Sequence, residues 1–244
     1  MSGAAQAGRA VRAAVSSAAA LAFLAATVPA ALPVQAAAGP NPATATTRAT
    51  QAQRGSPALS QDAREVLAWI RASGNNAGLP FVLIDKRSAA AHVFDAQGAW
   101  QASAPVLLGL ARGDHSVPGI GERPMAQIAR HERTTPAGRF VSEPGVNMAG
   151  EDIVWVHYDD AISLHRVRPT NPAERRLQRL ASPGIADNRI SYGCINAPTS
   201  FYDRFIAPTL GRHDGVVYVL PETQPVAEFF GFKTGGAGAS ARPD

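Results

Sequence analysis

The apolar residues of this chain come in short runs, and that limits what it can fold into. Phe81–Asp85, Ala91–Phe94, residues 105–110, Ile153–Tyr158, Ala161–His165 and Gly215–Pro221 are each the length of a strand and too short for a core helix. Gly, Pro, Asn or Asp bounds nearly every one, in a chain with 22 Gly and 19 Pro. The pattern predicts a mainly β protein with short helices. With 45% hydrophobic residues in 244, the chain has material for one sizeable core.

Helices are expected at three places. Ser60 opens the first, with Asp62 and Glu65 in its first turn, Val66, Leu67, Trp69 and Ile70 on its apolar face, and Gly74-Asn75-Asn76 as its stop. Asn171-Pro172-Ala173-Glu174 opens the second. Arg175, Arg176 and Arg179 line it, Leu177 and Leu180 are expected inward, and Pro183-Gly184 ends it. Phe201–Ile206 reads as a third, short helix. Asp159-Asp160 joins two strand runs into a hairpin that delivers His165 at its far end. Residues 111–134 form a long irregular segment, of the kind that usually serves a function. Its Gly119-x-Gly121 lacks the third glycine of a dinucleotide motif.

The ends of the chain have a different composition. Arg9 and Arg12, an uncharged Ala-rich apolar run and small-x-small sites at 34–36 and 36–38 predict a signal peptide over 1–36. Pro29 and Pro33 in that run argue against a stable membrane span. Residues 37–58 read as a disordered linker and 232–244 as a flexible tail, which leaves a folded domain at 59–231. The net charge of +4 is scattered, with no Lys/Arg run and no zinc-finger spacing, so no nucleic-acid partner is expected. Oligomeric state is left open.

Ile190-Ser191-Tyr192-Gly193-Cys194-Ile195-Asn196 contains the only cysteine. A lone thiol in an exported protein is either buried and inert or used. As a nucleophile it needs a base and a positive field to become thiolate. Six histidines are available. His165 stands at a strand end, where side chains converge on a cleft, and His157 is the reserve. No His or Cys spacing fits a metal site.

Three elements resemble the L,D-transpeptidase catalytic-domain (YkuD-like) family, and they come in the family's order. They are Thr135-Pro136-x-Gly138-x-Phe140, the apolar strand ending in His165, and Ser191-Tyr192-Gly193-Cys194-Ile195-Asn196, which is similar to the signature Ser/Thr-His-Gly-Cys-apolar-Asn/Arg. The resemblance covers residues 80–221. Tyr192 departs from the pattern, since the family has histidine there, and the segment between His165 and Ser191 is longer than usual.

The resemblance implies an L,D-transpeptidase-like mixed β-sheet domain. It implies Cys194 as nucleophile, His165 as general base, and peptidoglycan stem peptides as partners, with no cofactor. Tyr192, Gly193, Ser191 and Asn196 would line the site or form the oxyanion hole, and Arg189 and Arg166 would clamp substrate carboxylates. The expected location is the periplasm or cell envelope. The acceptor stays open between an amine, a protein and water, the last giving an L,D-carboxypeptidase. Reversal of cross-linking would make the protein an endopeptidase. A non-catalytic cell-wall-binding protein is the alternative of another class.

Overall fold

The protein is described here by a computed structural model, which covers residues 57–233. The expected signal peptide, most of the linker and nearly all of the tail lie outside the described residues. Helix α1, Gln61–Ser73, starts where Ser60 accepts the Ala63 N–H and stops at Gly74, whose positive φ of 65° suits a residue without Cβ. Ala63, Val66, Leu67 and Ile70 are its buried face. Trp69 lies beside them and stacks on Phe232 with ring centroids 5.1 Å apart, so packed structure reaches the first residue of the expected tail.

The strands are β1 (Phe81–Asp85), β2 (Ala90–Phe94), β3 (Trp100–Pro105), β4 (Leu108–Gly109), β5 (Gly138–Val146), β6 (Asp152–His157), β7 (Ile162–Arg166), β8 (Arg189–Ser191), β9 (Ile195–Ala197) and β10 (Gly215–Val219). Eight of them form one mixed sheet in the order β3-β2-β1-β10-β5-β6-β7-β9, and β4 pairs with β8 separately. The β1/β10 and β7/β9 pairs are parallel and the other neighbours in the large sheet are antiparallel. Leu107 and Asn196 exchange two backbone hydrogen bonds of 2.9 Å, which tie the short pair to the sheet edge.

The sheet buries both faces of its first half. Phe81, Leu83, Phe94, Val216 and Tyr218 pack under α1. Val82, Ile84, Val93, Val217, Val219, Val154, Leu164 and Ile195 build the core on the other face. The mainly β expectation with short helices and a mixed sheet therefore holds.

Three local readings are corrected. The third strand is Trp100–Pro105, because the turn held by the Asp95 side chain pairs these residues with β2. The arginine-rich helix breaks at Arg175, whose φ is +49°. What remains is a single 3-10 turn, Pro172–Glu174, followed by α2, Arg176–Ala181. In α2 only Leu180 is buried, while Leu177 is exposed, since a helix this short presents one residue to the core. Residues Thr199–Phe201 (α3) continue into a wide π turn at Tyr202–Ile206, as expected for a short helix there, and α4 is Val226–Phe230.

Candidate active site

Strands β7 and β9 run parallel with Leu164 beside Ile195 and His165 beside Asn196. One step earlier in the same register Cys194 stands beside Ser163. Side chains alternate across a strand, so Ser163 and His165 leave β7 on the face opposite Leu164, which belongs to the core. Trp155 pairs with Ser163, and Glu143 with Trp155. Glu143, Trp155, Ser163 and Cys194 therefore form a row across one sheet face.

The thiol is half-buried. Its Sγ donates to the Ala161 carbonyl at 3.5 Å, and the Ser163 hydroxyl donates to Sγ at 3.6 Å. His165 Nδ1 lies 2.7 Å from the Arg166 carbonyl oxygen, which can only accept. That partner assigns the proton to Nδ1 and leaves Nε2 for the thiol. Burial pushes the Cys194 pKa up, but the hydrogen bond and charge of His165, with help from Ser163, outweigh it and bring the thiol below its ordinary value.

The loop carrying the thiol is held at the Gly193 and Cys194 carbonyls. The Cys194 carbonyl accepts from Ser191 Oγ at 2.6 Å and from Asn196 Nδ2 at 3.1 Å. Asn196 Oδ1 accepts in turn from Arg176 Nη1 at 2.5 Å, and Arg176 also pairs with Glu174. Thr135 Oγ1 donates to the Gly193 carbonyl at 2.7 Å and accepts from the Gly109 N–H at 2.8 Å. Gly193 has φ +138°, and a Cβ there would come within 2.6 Å of Ile162 Cδ1 and 2.8 Å of the Thr134 oxygen.

The peptide N–H groups divide into free and occupied. Gly193 N–H donates to Ser191 Oγ at 3.1 Å. The N–H groups of Tyr192 and Cys194 have no partner among the described residues. In a trans peptide, C=O and N–H point opposite ways. The Thr135 hydroxyl on the Gly193 carbonyl therefore aims the Cys194 N–H away from Thr135.

Tyr192, half-buried, lies under the Arg133 guanidinium, which is 3.8 Å from its ring centroid. Arg133 is itself anchored on the Ile128 carbonyl. The long segment 111–134 thus reaches the signature loop through its last residues.

The two arginines expected as clamps both have partners within the protein. Arg189 is buried, donating to Glu222 Oε2 at 2.7 Å and to the Lys86 carbonyl at 2.9 Å. Arg166 pairs with Asp152 at 2.8 Å and Asp203 at 2.6 Å and lies over the Tyr202 ring. His157, the reserve base, faces Asp160 and the Phe140 ring and is not among the groups around the thiol. Sequence reasoning missed Ser163. Its signal was the period of two, since it stands two residues before His165.

No group of three or more His, Cys, Asp or Glu side chains suited to a metal occurs among the described residues. No helix among them is long and apolar enough to cross a membrane.

No family model matches the chain, and no curated protein matches it significantly. Several solved structures are similar. The helical cell shape determining protein Pgp2 from Campylobacter jejuni is 14% identical, with 60% of this chain and 49% of that one covered and a TM-score of 0.40. An L,D-transpeptidase from Mycobacterium smegmatis is 15% identical, covering 57% of this chain and 58% of that one, with a TM-score of 0.31. The catalytic domain of the E. faecium L,D-transpeptidase is 17% identical, covering 58% of this chain and 96% of that domain, again with a TM-score of 0.31. The chain thus spans about half the length of the Pgp2 chain it matches.

Proposed function

We propose that this protein is an exported acyltransferase of the L,D-transpeptidase type, acting on peptidoglycan stem peptides in the periplasm or cell envelope. The observation that carries the reading is the Cys194–His165 pair. The thiol is held below its ordinary pKa by a histidine whose other ring nitrogen is locked on the Arg166 carbonyl. The order of the Thr135-Pro136, His165 and Ser191–Asn196 elements supports it.

In this mechanism His165 Nε2 takes the thiol proton and the Cys194 sulfur attacks the carbonyl between a diaminopimelate-type residue and a terminal D-alanine. Charge develops on that carbonyl oxygen, where the free N–H groups of Tyr192 and Cys194 are the donors at hand. The tetrahedral intermediate collapses with cleavage of the C–N bond. The leaving amine takes the proton from His165, and a thioester remains on Cys194. An amine of a second stem then attacks the thioester, giving its proton to His165, and Cys194 leaves as thiolate. Water in place of the amine makes the same site an L,D-carboxypeptidase. No cofactor takes part. Ser191 and Asn196 hold the loop, while Arg166 and Arg189, already paired with carboxylates, are assigned no contact with substrate.

The test is intact-mass spectrometry of the protein incubated with a disaccharide-tetrapeptide or a carbapenem, beside Cys194→Ala. The expected result is a covalent adduct that requires Cys194. Retained peptidoglycan binding with no adduct at any pH would replace the enzyme with a wall-binding protein.

A further inference from the structure

The most deeply buried cationic side chain among the described residues lies outside the site just described. Lys86, directly after β1, is fully buried, in a chain whose other charged side chains are mostly at the surface. Its ammonium donates to the Gly113 carbonyl at 2.5 Å, to Asp114 Oδ1 at 2.8 Å and to the Thr135 carbonyl at 3.0 Å. Glu222 Oε1 stands 3.8 Å away. Asp114 also accepts from the Glu222 and Thr223 N–H groups, so this carboxylate is fully occupied. Bringing an ammonium this deep costs several kcal/mol of hydration, and every donor is matched in return.

One of these contacts, and a second made by the Lys86 main chain, lead to the thiol loop. Thr135, fixed through its carbonyl by Lys86, is the residue whose hydroxyl holds the Gly193 carbonyl at 2.7 Å. At the loop's other end Arg189 stands two residues before Ser191 and donates to the Lys86 carbonyl at 2.9 Å. One residue therefore holds both ends of the segment from Arg189 to Gly193, with its side chain on one side and its main chain on the other.

We infer that Lys86 is a positioning residue for the Cys194 nucleophile: through Thr135 it sets the Gly193–Cys194 peptide so that the Cys194 N–H faces the developing oxyanion. This rests on the acyltransferase reading. Lys86 touches no reacting atom. Its effect passes through the orientation of one peptide plane, which the Thr135 hydroxyl fixes directly.

The consequence separates two reactions of the same sulfur. Acylation by a carbapenem or tetrapeptide makes an oxyanion and needs the aimed N–H. Alkylation by iodoacetamide makes none and needs only the thiolate. Loss of one oxyanion-hole donor typically slows acyl transfer about 100-fold or more, and a misaimed donor loses a large part of that.

The experiment measures both rates by intact mass, with melting temperature, for the wild type, Thr135→Val, Lys86→Met and the double variant. Where Lys86→Met alone does not fold, Lys86→Met/Asp114→Asn takes its place, since it removes the carboxylate left unpaired. Expected are an acylation rate at least about tenfold lower in each folded variant, alkylation within about threefold of wild type, and no further loss in the double variant. A merely structural role would move both rates together, and that outcome overturns the proposal. So does acylation within about twofold of wild type, or losses that multiply in the double variant. A wild type that forms no adduct overturns the acyltransferase reading and this proposal with it, whereas failure confined to the variants leaves that reading intact.

Discussion

The Ser163 hydroxyl donates to the Cys194 sulfur at 3.6 Å from the same strand face that presents His165. Two groups two residues apart therefore bear on one sulfur from β7. Burial pushes the thiol pKa up, and these two groups reverse the sign, so the thiolate is populated at lower pH than in a free cysteine. Alkylation of Cys194 should accordingly inflect below pH 9.0, the ordinary thiol value. His165→Gln should move the inflection upward, and Ser163→Ala should move it the same way by less. A rate–pH profile by intact mass decides this, and an unchanged inflection in His165→Gln would count against His165 as the base.

Gly193 is the tightest point of the loop. Gly193→Ala sets a Cβ against Ile162 Cδ1 and the Thr134 oxygen at a φ of +138°. The expected cost is about 2–3 kcal/mol of stability. Acylation should be lost as well, because the same movement shifts the Cys194 N–H. Chemical denaturation and adduct formation on one preparation give both numbers.

The Tyr192 ring, rather than its hydroxyl, carries the contact with Arg133. Tyr192→Phe is therefore expected to keep acylation within about twofold. Arg133→Ala should lose about 1 kcal/mol of stability, the usual worth of a partly desolvated cation over an aromatic face. A large acylation loss in Tyr192→Phe would assign the hydroxyl a part in the reaction.

His92 is fully buried against Ser103, and burial pushes its pKa down to about 4 from 6.5. Between those values the unfolded chain binds a proton that the folded protein does not, so stability rises with pH and falls on acidification from pH ~6.5 to ~4. The single histidine contributes about 3 kcal/mol across that window. Asp114, held down at about 2 despite burial by Lys86 and by Thr223, acts in a lower window. Its contribution is complete above about 4 and is lost as pH falls through 2. Denaturant midpoints at pH 7 and 4.5 should differ in the wild type and converge in His92→Gln.

Much of this was written in the sequence, and the failures have a common cause. β1, β2, β6, β7 and β10 were legible because their apolar runs are continuous. β5 was not, because Gly138–Val146 contains Arg139, Glu143, Pro144 and Gly145 and is mostly exposed on one face. The Cys194 loop and His165 were legible from residue type and order. The Arg189–Glu222 pair was not legible, because Glu222 follows β10 and only the folded sheet brings the two together. The burial of Lys86 had no sequence signal for the same reason, since its partners Asp114 and Thr135 are distant in sequence. Leu177 was expected inward from a helical period that does not run through Arg175, and the short helix after that break buries only Leu180.

β10 lies between β1 and β5, although it is the last strand of the chain. Until residues 215–219 arrive, the sheet is two separate pieces with four raw edges in place of two. One of those edges is β1, five residues that are all buried in the finished fold. A growing or refolding chain must therefore keep its most apolar edge from pairing with a neighbour while it waits for its own final strand. Closure over so long a sequence separation is slow. The edge left open longest is thus the one whose side chains the finished fold hides completely.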